Sequence, residues 1–203
     1  MIQIGDLVIS YANIYLKDSS LFHIVLKVNK KLTLLILYVR ILFFCILAKK
    51  PLIMKLTVSK LNSFLLFKLP SAFICGVRVK AIDEERCIVS VKHRWINQNP
   101  FNSMYFAVQA MAAELSTGAL VMYQIQKCDR KISMLVANNK GNFTKKATGR
   151  ITFVCNDGHL IEKAIKETID TGEGQTFWMK SIGTDEKGIQ VSEMDFEWSV
   201  RAK

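Results

Sequence analysis

The stretch SMYFAVQAMAAELSTGALVMY, residues 103–123, is nearly all apolar or small, contains one glycine and lacks proline. These features predict a long buried helix. A membrane-spanning helix is the alternative, but it is weakened by four polar residues inside the stretch, Gln109, Glu114, Ser116 and Thr117. We therefore expect this helix to form the centre of a folded domain.

On both sides of this helix, apolar residues alternate with polar ones, which is the pattern of half-buried strands. The strand segments are residues 77–81, 87–91, 133–143, 150–155, 175–181 and 193–200. Helical periodicity is present at residues 56–69 and 159–169. This order predicts an α+β fold in which an antiparallel sheet of about six strands covers the long helix.

Residues 1–53 differ in composition from the rest of the chain. They contain no Glu or Trp and 20 Leu or Ile, and Ala, Gly, Pro, Arg and Trp together number five, against 31 in residues 54–203. Translated AT-rich non-coding DNA would have this composition, and Met54 would then be the true start. A membrane anchor at residues 32–48 is the alternative, although Arg40 near its middle is unfavourable there. A cleaved signal peptide fits poorly. We expect residues 54–203 to form one domain, cytoplasmic in the first case and membrane-anchored in the second.

The formal net charge of +11 divides into +5 for residues 1–53 (7 basic, 2 acidic) and +6 for residues 54–203 (21 basic, 15 acidic). In the second part the cations are interleaved with acids and form no Arg-rich run, which argues against a nucleic-acid partner. The five cysteines form no C-x-x-C pair, and the three histidines are scattered. We predict no metal site, no cofactor and a reducing compartment.

Three short motifs resemble the hotdog-fold proteins of the acyl-CoA thioesterase superfamily, in particular an uncharacterised bacterial branch near the phenylacetate-type thioesterases. They are NPFNSM at residues 99–104, AELSTG at 113–118 and FTKKATG at 143–149. The resemblance covers about residues 60–200 and implies a hotdog fold, with a sheet wrapped around a central helix. It also implies hydrolysis of acyl-CoA or a related acyl thioester. The His-Gly-Gly of many active members is absent, and Asn102 stands where the branch usually has Gly.

Glu114 is the only acidic residue in the long helix, and a helical wheel places it on a face of small residues. A carboxylate among apolar neighbours must be hydrogen-bonded, paired or protonated. The functional interpretation is a general base or nucleophile, roles that the resemblance also implies. The structural alternative is a Glu satisfied by a backbone group or by a Lys across a dimer interface. Thr117, one turn further, would bind water or bond back to the helix backbone.

The start of the helix is the second candidate element. Asn102 and Ser103 are good N-cap residues, and free N–H groups near Asn102, Ser103 and Met104 could hold an oxyanion. Plain helix capping is the alternative for Ser103. Asn99 could orient a water or the thioester carbonyl, or could simply be a turn residue before Pro100.

Four cations near the strand connection could bind the phosphates of coenzyme A, or could be solvated turn charges: Lys140, Lys145, Lys146 and Arg150. The small-residue helix face predicts a homodimer or a higher homo-oligomer.

Together with the resemblance, the candidate residues predict an acyl thioester hydrolase. The alternative is a non-catalytic acyl-ligand-binding or scaffold protein with the same fold. A membrane partner is expected only if residues 1–53 are translated.

Overall fold

The structure, a computed structural model, describes residues 56–203. The interpretations of residues 1–53 and of a span at 32–48 lie outside the described residues. The elements in chain order are α1 (Val58–Lys68), α2 (Pro70–Ile74), β1 (Arg78–Ile82), β2 (Cys87–Lys92), a 3-10 turn (Trp95–Asn97), α3 (Phe106–Ile125), β3 (Ile132–Phe143), β4 (Arg150–Cys155), α4 (Gly158–Thr171), β5 (Gln175–Thr184) and β6 (Gln190–Ala202).

The six strands form one sheet in the order β1-β2-β4-β5-β6-β3, and every neighbouring pair is antiparallel. The sequence alternation explains which face is buried. In β2 and β4, the directly opposed pairs Cys87 with Cys155, Val89 with Phe153 and Val91 with Ile151 are all buried. This apolar face packs against α3, so the predicted α+β hotdog architecture is confirmed.

Buried polar contacts fix α3 on the sheet in addition to apolar packing. The hydroxyl groups of Ser116 and Ser181 are 2.7 Å apart, and both residues are fully buried. The Ser192 hydroxyl donates to Gln109 Oε1 at 3.1 Å. Because Gln109, Ser116 and Thr117 all have hydrogen-bond partners, these polar residues are compatible with the central position of the helix. Among residues 56–203, no helix is both long and apolar enough to cross a membrane.

Helix α1 protects one edge of the sheet. It begins after Thr57, whose hydroxyl accepts from the Lys60 N–H, and it buries Leu61 and Leu65. The Asn62 side chain donates to the Val79 carbonyl and accepts from the Val79 N–H, both at 3.0 Å. An asparagine thus occupies backbone groups of the edge strand β1 that would otherwise be unpaired. The opposite edge strand, β3, has no such cover among the described residues.

Candidate active site

The loop that enters α3 is anchored by Asn97, a residue that the sequence analysis did not single out. Its side chain is buried and donates to the carbonyls of Cys75 and Lys92, each at 2.9 Å. Its oxygen accepts from the Arg94 N–H at 2.8 Å. One amide therefore joins the end of α2, the end of β2 and the start of the loop. The only sequence signal for this role is an asparagine at the start of a polar stretch.

Asn99 organises the turn itself. Its Oδ1 accepts from the Phe101 N–H at 2.9 Å and from the Ser103 N–H at 3.2 Å. The Ser103 hydroxyl lies 3.0 Å from Asn99 Nδ2. Asn102 adopts φ 56°, a left-handed conformation that asparagine tolerates better than most residues and glycine better still. These contacts match the turn role that was the alternative for Asn99.

The prediction that Asn102 and Ser103 cap the helix is wrong. Helix α3 begins at Phe106, and its N-cap Tyr105 makes no side-chain capping bond. The helix starts late because the backbone before it is bonded elsewhere: the N–H groups of Asn102, Ser103 and Met104 donate to Asn99 O, Asn99 Oδ1 and Ala147 O. These three N–H groups are therefore not free to bind an oxyanion. The N–H groups of Phe106 and Ala107 donate to no acceptor within residues 56–203.

A cavity of about 490 Å³ opens beside this loop, and we call it the loop cavity. It brings together the predicted residues Asn99, Ser103, Met104, Lys145 and Lys146. The Lys145 ammonium pairs with Asp185 at 2.9 Å, and Lys146 Nζ donates to the Phe101 carbonyl at 3.3 Å. Aromatic rings line the same cavity, with Phe106 between Tyr105 and Phe143 at centroid distances of 4.9 and 6.2 Å.

The structure places the other two predicted phosphate ligands away from the residues that line this cavity. Lys140 lies 3.9 Å from Asp195 and 4.6 Å from the centre of the Trp178 ring. Arg150 begins β4 and stands directly opposite Lys92 of β2. Among the four cations, only Lys145 and Lys146 line the loop cavity.

Glu114 faces a second cavity of about 390 Å³, which we call the helix cavity. Its other lining residues are apolar or aromatic: Phe64, Leu69, Leu115, Gly118, Met122, Met134, Leu135, Val136 and Trp198. No hydrogen bond or ion pair joins the Glu114 carboxylate to any residue of the described part of the chain. Burial raises the pKa of Glu114, because an apolar environment disfavours the charged form.

Thr117, Gly118 and Trp198 pack next to Glu114 and fix the wall of the helix cavity on that side. The Thr117 hydroxyl donates to the Glu114 carbonyl at 2.9 Å and accepts from Trp198 Nε1 at 3.0 Å. Thr117 is fully buried, so it matches the structural alternative, a hydroxyl bonded back to the helix. A Cβ added at Gly118 would lie 2.9 Å from the Trp198 ring and 3.2 Å from Glu114 Oε1. Gly118 therefore leaves room for both the indole and the carboxylate.

The Glu114 carboxylate and the free N–H groups at the start of α3 do not meet within one chain. Glu114 follows the free N–H group of Ala107 by seven residues, which is about 10 Å along the helix axis. A single thioester carbonyl cannot reach both, since reacting groups must approach to about 3 Å.

Solved structures with the same fold include thioesterases. A Pseudomonas aeruginosa protein of unknown function, described as a probable thioesterase, is 21% identical with a TM-score of 0.61, covering 71% of this chain and 96% of its own. A protein of unknown function from Chlorobaculum tepidum is 13% identical with a TM-score of 0.63. The match covers 73% of this chain and 99% of the Chlorobaculum protein. A Haemophilus influenzae thioesterase is 13% identical with a TM-score of 0.56. The match covers 73% of this chain and 93% of the Haemophilus protein.

No curated protein matches the chain significantly. A family model does match, over residues 59–200, and its description is Domain of unknown function (DUF4442). This match covers the lining residues of both cavities, the first five strands and β6 as far as Val200. The chain is therefore a member of the DUF4442 family, and it has the hotdog fold of thioesterase-like proteins.

Proposed function

We propose that the protein hydrolyses acyl thioesters of the acyl-CoA class and that Glu114 is the general base. The observation that carries the proposal is the Glu114 carboxylate, which faces an apolar cavity and has no hydrogen-bond or ion-pair partner among residues 56–203. Burying a carboxylate without a partner is costly, and such groups cluster at functional sites. The fold shared with thioesterases supports the same reaction class.

In this proposal Glu114 removes a proton from water, and the water oxygen forms a bond to the thioester carbonyl carbon. Collapse of the tetrahedral intermediate breaks the carbon–sulfur bond. The proton held by Glu114 then passes to the departing thiolate, so the products are a carboxylic acid and a free thiol. The apolar walls of the helix cavity suit a hydrocarbon acyl group, which gains stability when its surface leaves water.

The oxyanion of the intermediate requires N–H donors close to the carboxylate. The free N–H groups of Phe106 and Ala107 are suitable in chemistry, but they lie about two helical turns from Glu114. We therefore propose that a second copy of the chain supplies them, so that each site combines the Glu114 of one chain with the helix start of the other. The predicted homodimer would then be required for activity.

The loop cavity would receive the carrier end of the substrate. Lys145 and Lys146 provide positive charge for phosphate groups, while Tyr105, Phe106 and Phe143 provide aromatic surface for an adenine ring. Lys140 and Arg150 do not belong to this part of the proposal, because neither lines the cavity.

The test is hydrolysis of short, long and aromatic acyl-CoAs by the full chain, with the released thiol as readout. Glu114→Gln keeps the size of the side chain and removes the base, so turnover should fall about 100-fold or more. Glu197→Gln is the matched control, because Glu197 is also half-buried but lies on the β6 strand, outside both cavities. Unchanged turnover in a folded Glu114→Gln protein would refute the assignment.

A non-catalytic acyl-ligand binder is the second candidate, and one observation favours it. The N–H groups of Asn102, Ser103 and Met104, which the start of the predicted helix suggested as oxyanion donors, already donate to protein acceptors. A protonated Glu114 could instead donate a hydrogen bond to a ligand carbonyl. Saturable acyl-CoA binding without thiol release would support this candidate.

A further inference from the structure

A group of residues outside both cavities, all of them exposed except the half-buried Arg78, combines positive charge with apolar side chains. It consists of the cations Arg78, Lys92, Arg94 and Arg150 and the apolar residues Ile74 and Trp95, and we call it the basic patch. None of these six residues lines the loop cavity or the helix cavity. The proposed thioester chemistry therefore gives no reason for it.

Several contacts show that the basic patch is continuous. A Cβ added at Gly76 would overlap the Arg94 guanidinium, so Arg94 covers the backbone between Ile74 and Arg78. The Arg78 guanidinium lies 3.5 Å from the centre of the Phe73 ring, next to Ile74 in sequence. The buried Asn97 amide joins Cys75 and Lys92 at 2.9 Å each. Lys92 faces Arg150 on the adjacent strand.

Within the part of the chain that the structure describes, no acid neutralises the cations of the basic patch. None of the four forms an ion pair with an acid within residues 56–203. Lys92 and Arg150 are directly opposed like charges, an arrangement that destabilises a sheet. Burial lowers the pKa of Arg78, and the nearby positive charge of Arg94 lowers it further. Glu186 is an acid near the patch, because its carboxylate lies beside Gly149, which precedes Arg150 in the chain. Folding explains Arg78, whose guanidinium donates to the carbonyls of Phe73 and Val77. It does not explain the opposed cations Lys92 and Arg150.

The apolar members project into solvent instead of packing. Trp95 is 87% exposed at the first position of a single 3-10 turn, and Ile74 is 58% exposed at the end of α2. An exposed tryptophan that follows Arg94 directly in the chain matches the chemistry of the lipid–water interface. There tryptophan lies at the headgroup level, and arginine and lysine attract anionic lipids.

We propose that the basic patch docks the folded domain on the surface of an anionic lipid bilayer. An acidic protein would satisfy the same charges. The lipid surface is the better fit because Trp95 is 87% exposed and lines none of the cavities described for residues 56–203, so it has no groove that would receive a peptide. The proposal is independent of the acyl thioester hydrolase assignment, and also of residues 1–53, because every residue of the patch belongs to the described domain.

The experiment measures sedimentation of the full chain with vesicles of phosphatidylcholine, alone or with about 30% phosphatidylserine. We expect binding to the anionic vesicles at 0.1 M salt, and release at 0.5 M salt because the charges are then screened. The double variant R94E/R150E should bind at least about tenfold more weakly, since each cation near an anionic surface contributes about fivefold. Trp95→Ser should also weaken binding, without changing its salt dependence.

The double variant R130E/K166E is the matched control, because it makes the same change in net charge at exposed residues outside the patch. It should bind within about twofold of the parent, and thermal melting checks that all variants fold. Equal binding by parent and R94E/R150E, or equal binding to neutral vesicles, would overturn the proposal. Binding of the parent to polyglutamate but not to anionic vesicles, lost in R94E/R150E, would assign the patch to an acidic protein and also overturn it.

Discussion

Glu114 could be selected as a candidate from the sequence, but its surroundings could not be predicted. Its isolation as the only acid in an apolar helix can be read from the sequence, and that was sufficient to select it. What it faces could not be read, because Phe64 of α1 and Met134 of β3, which help to enclose the helix cavity, are distant in sequence. The same limit applies to Asn97, whose three hydrogen bonds connect segments up to 22 residues away.

Replacing Glu114 by Gln should change stability in a way that depends on pH. Burial raises the pKa of Glu114, so between its unfolded and folded values the folded state binds more protons. Stability conferred by the protonated group is then lost as the pH rises through the folded pKa. Glu114→Gln should therefore gain stability relative to the parent as the pH rises from 4 to 8, as measured by urea unfolding. A difference independent of pH, or a loss at pH 8, would instead indicate a partner that stabilises the carboxylate.

Asn102 supports a prediction about backbone strain. Its φ of 56° is unfavourable for residues with a Cβ, and the resemblance places Gly at this position. Asn102→Gly should leave stability unchanged or raise it slightly, whereas Asn102→Ala should lower the free energy of unfolding by about 1 kcal/mol. Chemical denaturation of the two variants measures the difference. Equal stability of the Gly and Ala variants would contradict the left-handed conformation.

At the scale of elements, strands and helices were predictable because their signals are local. The alternation in residues 193–200 identified β6, and the apolar run in 103–123 identified α3. The start of α3 was not predictable, since it depends on Met104 donating to Ala147, a partner contributed by the segment between β3 and β4. Asn99, close in sequence, then binds Ser103 and removes it from the helix.

The junction between α2, β2 and the loop should depend on Asn97. Asn97→Ala leaves the carbonyls of Cys75 and Lys92 and the Arg94 N–H, which are partly buried, without their partner. The free energy of unfolding should fall by about 2 to 4 kcal/mol. Asn142→Ala is the matched control, because Asn142 is exposed on β3, and its effect should stay within about 0.5 kcal/mol. A loss below 1 kcal/mol for Asn97→Ala would show that water replaces the amide.

At the scale of the whole molecule, residues 54–203 should fold without residues 1–53. The described part contains the complete sheet, and its central helix is covered by strands from the same part. The fragment should therefore show a cooperative thermal transition and the same secondary structure by circular dichroism as the full chain. An insoluble fragment beside a folded full chain would refute this.

Association of the folded domain is the second prediction at this scale. The edge strand β3 has no partner on its outer side within the described residues, and its Leu135 is 67% exposed while also lining the helix cavity. An exposed strand edge beside an apolar cavity is a surface to which a second copy can bind. In the proposed mechanism, that copy supplies the free N–H groups, which lie too far from Glu114 within one chain. We expect at least a dimer by sedimentation at micromolar concentration.

Leu135→Glu tests both parts of this argument, because it places a charge on the exposed edge without filling the core. The variant should dissociate to monomers and lose thioester hydrolysis while keeping a cooperative melting transition. Ile189→Glu is the matched control, since Ile189 is 47% exposed at the turn between β5 and β6, and it should remain associated. A parent that sediments as a monomer would refute the predicted dimer. A monomeric Leu135→Glu protein with full turnover would keep the dimer but remove the need for a second copy in each active site.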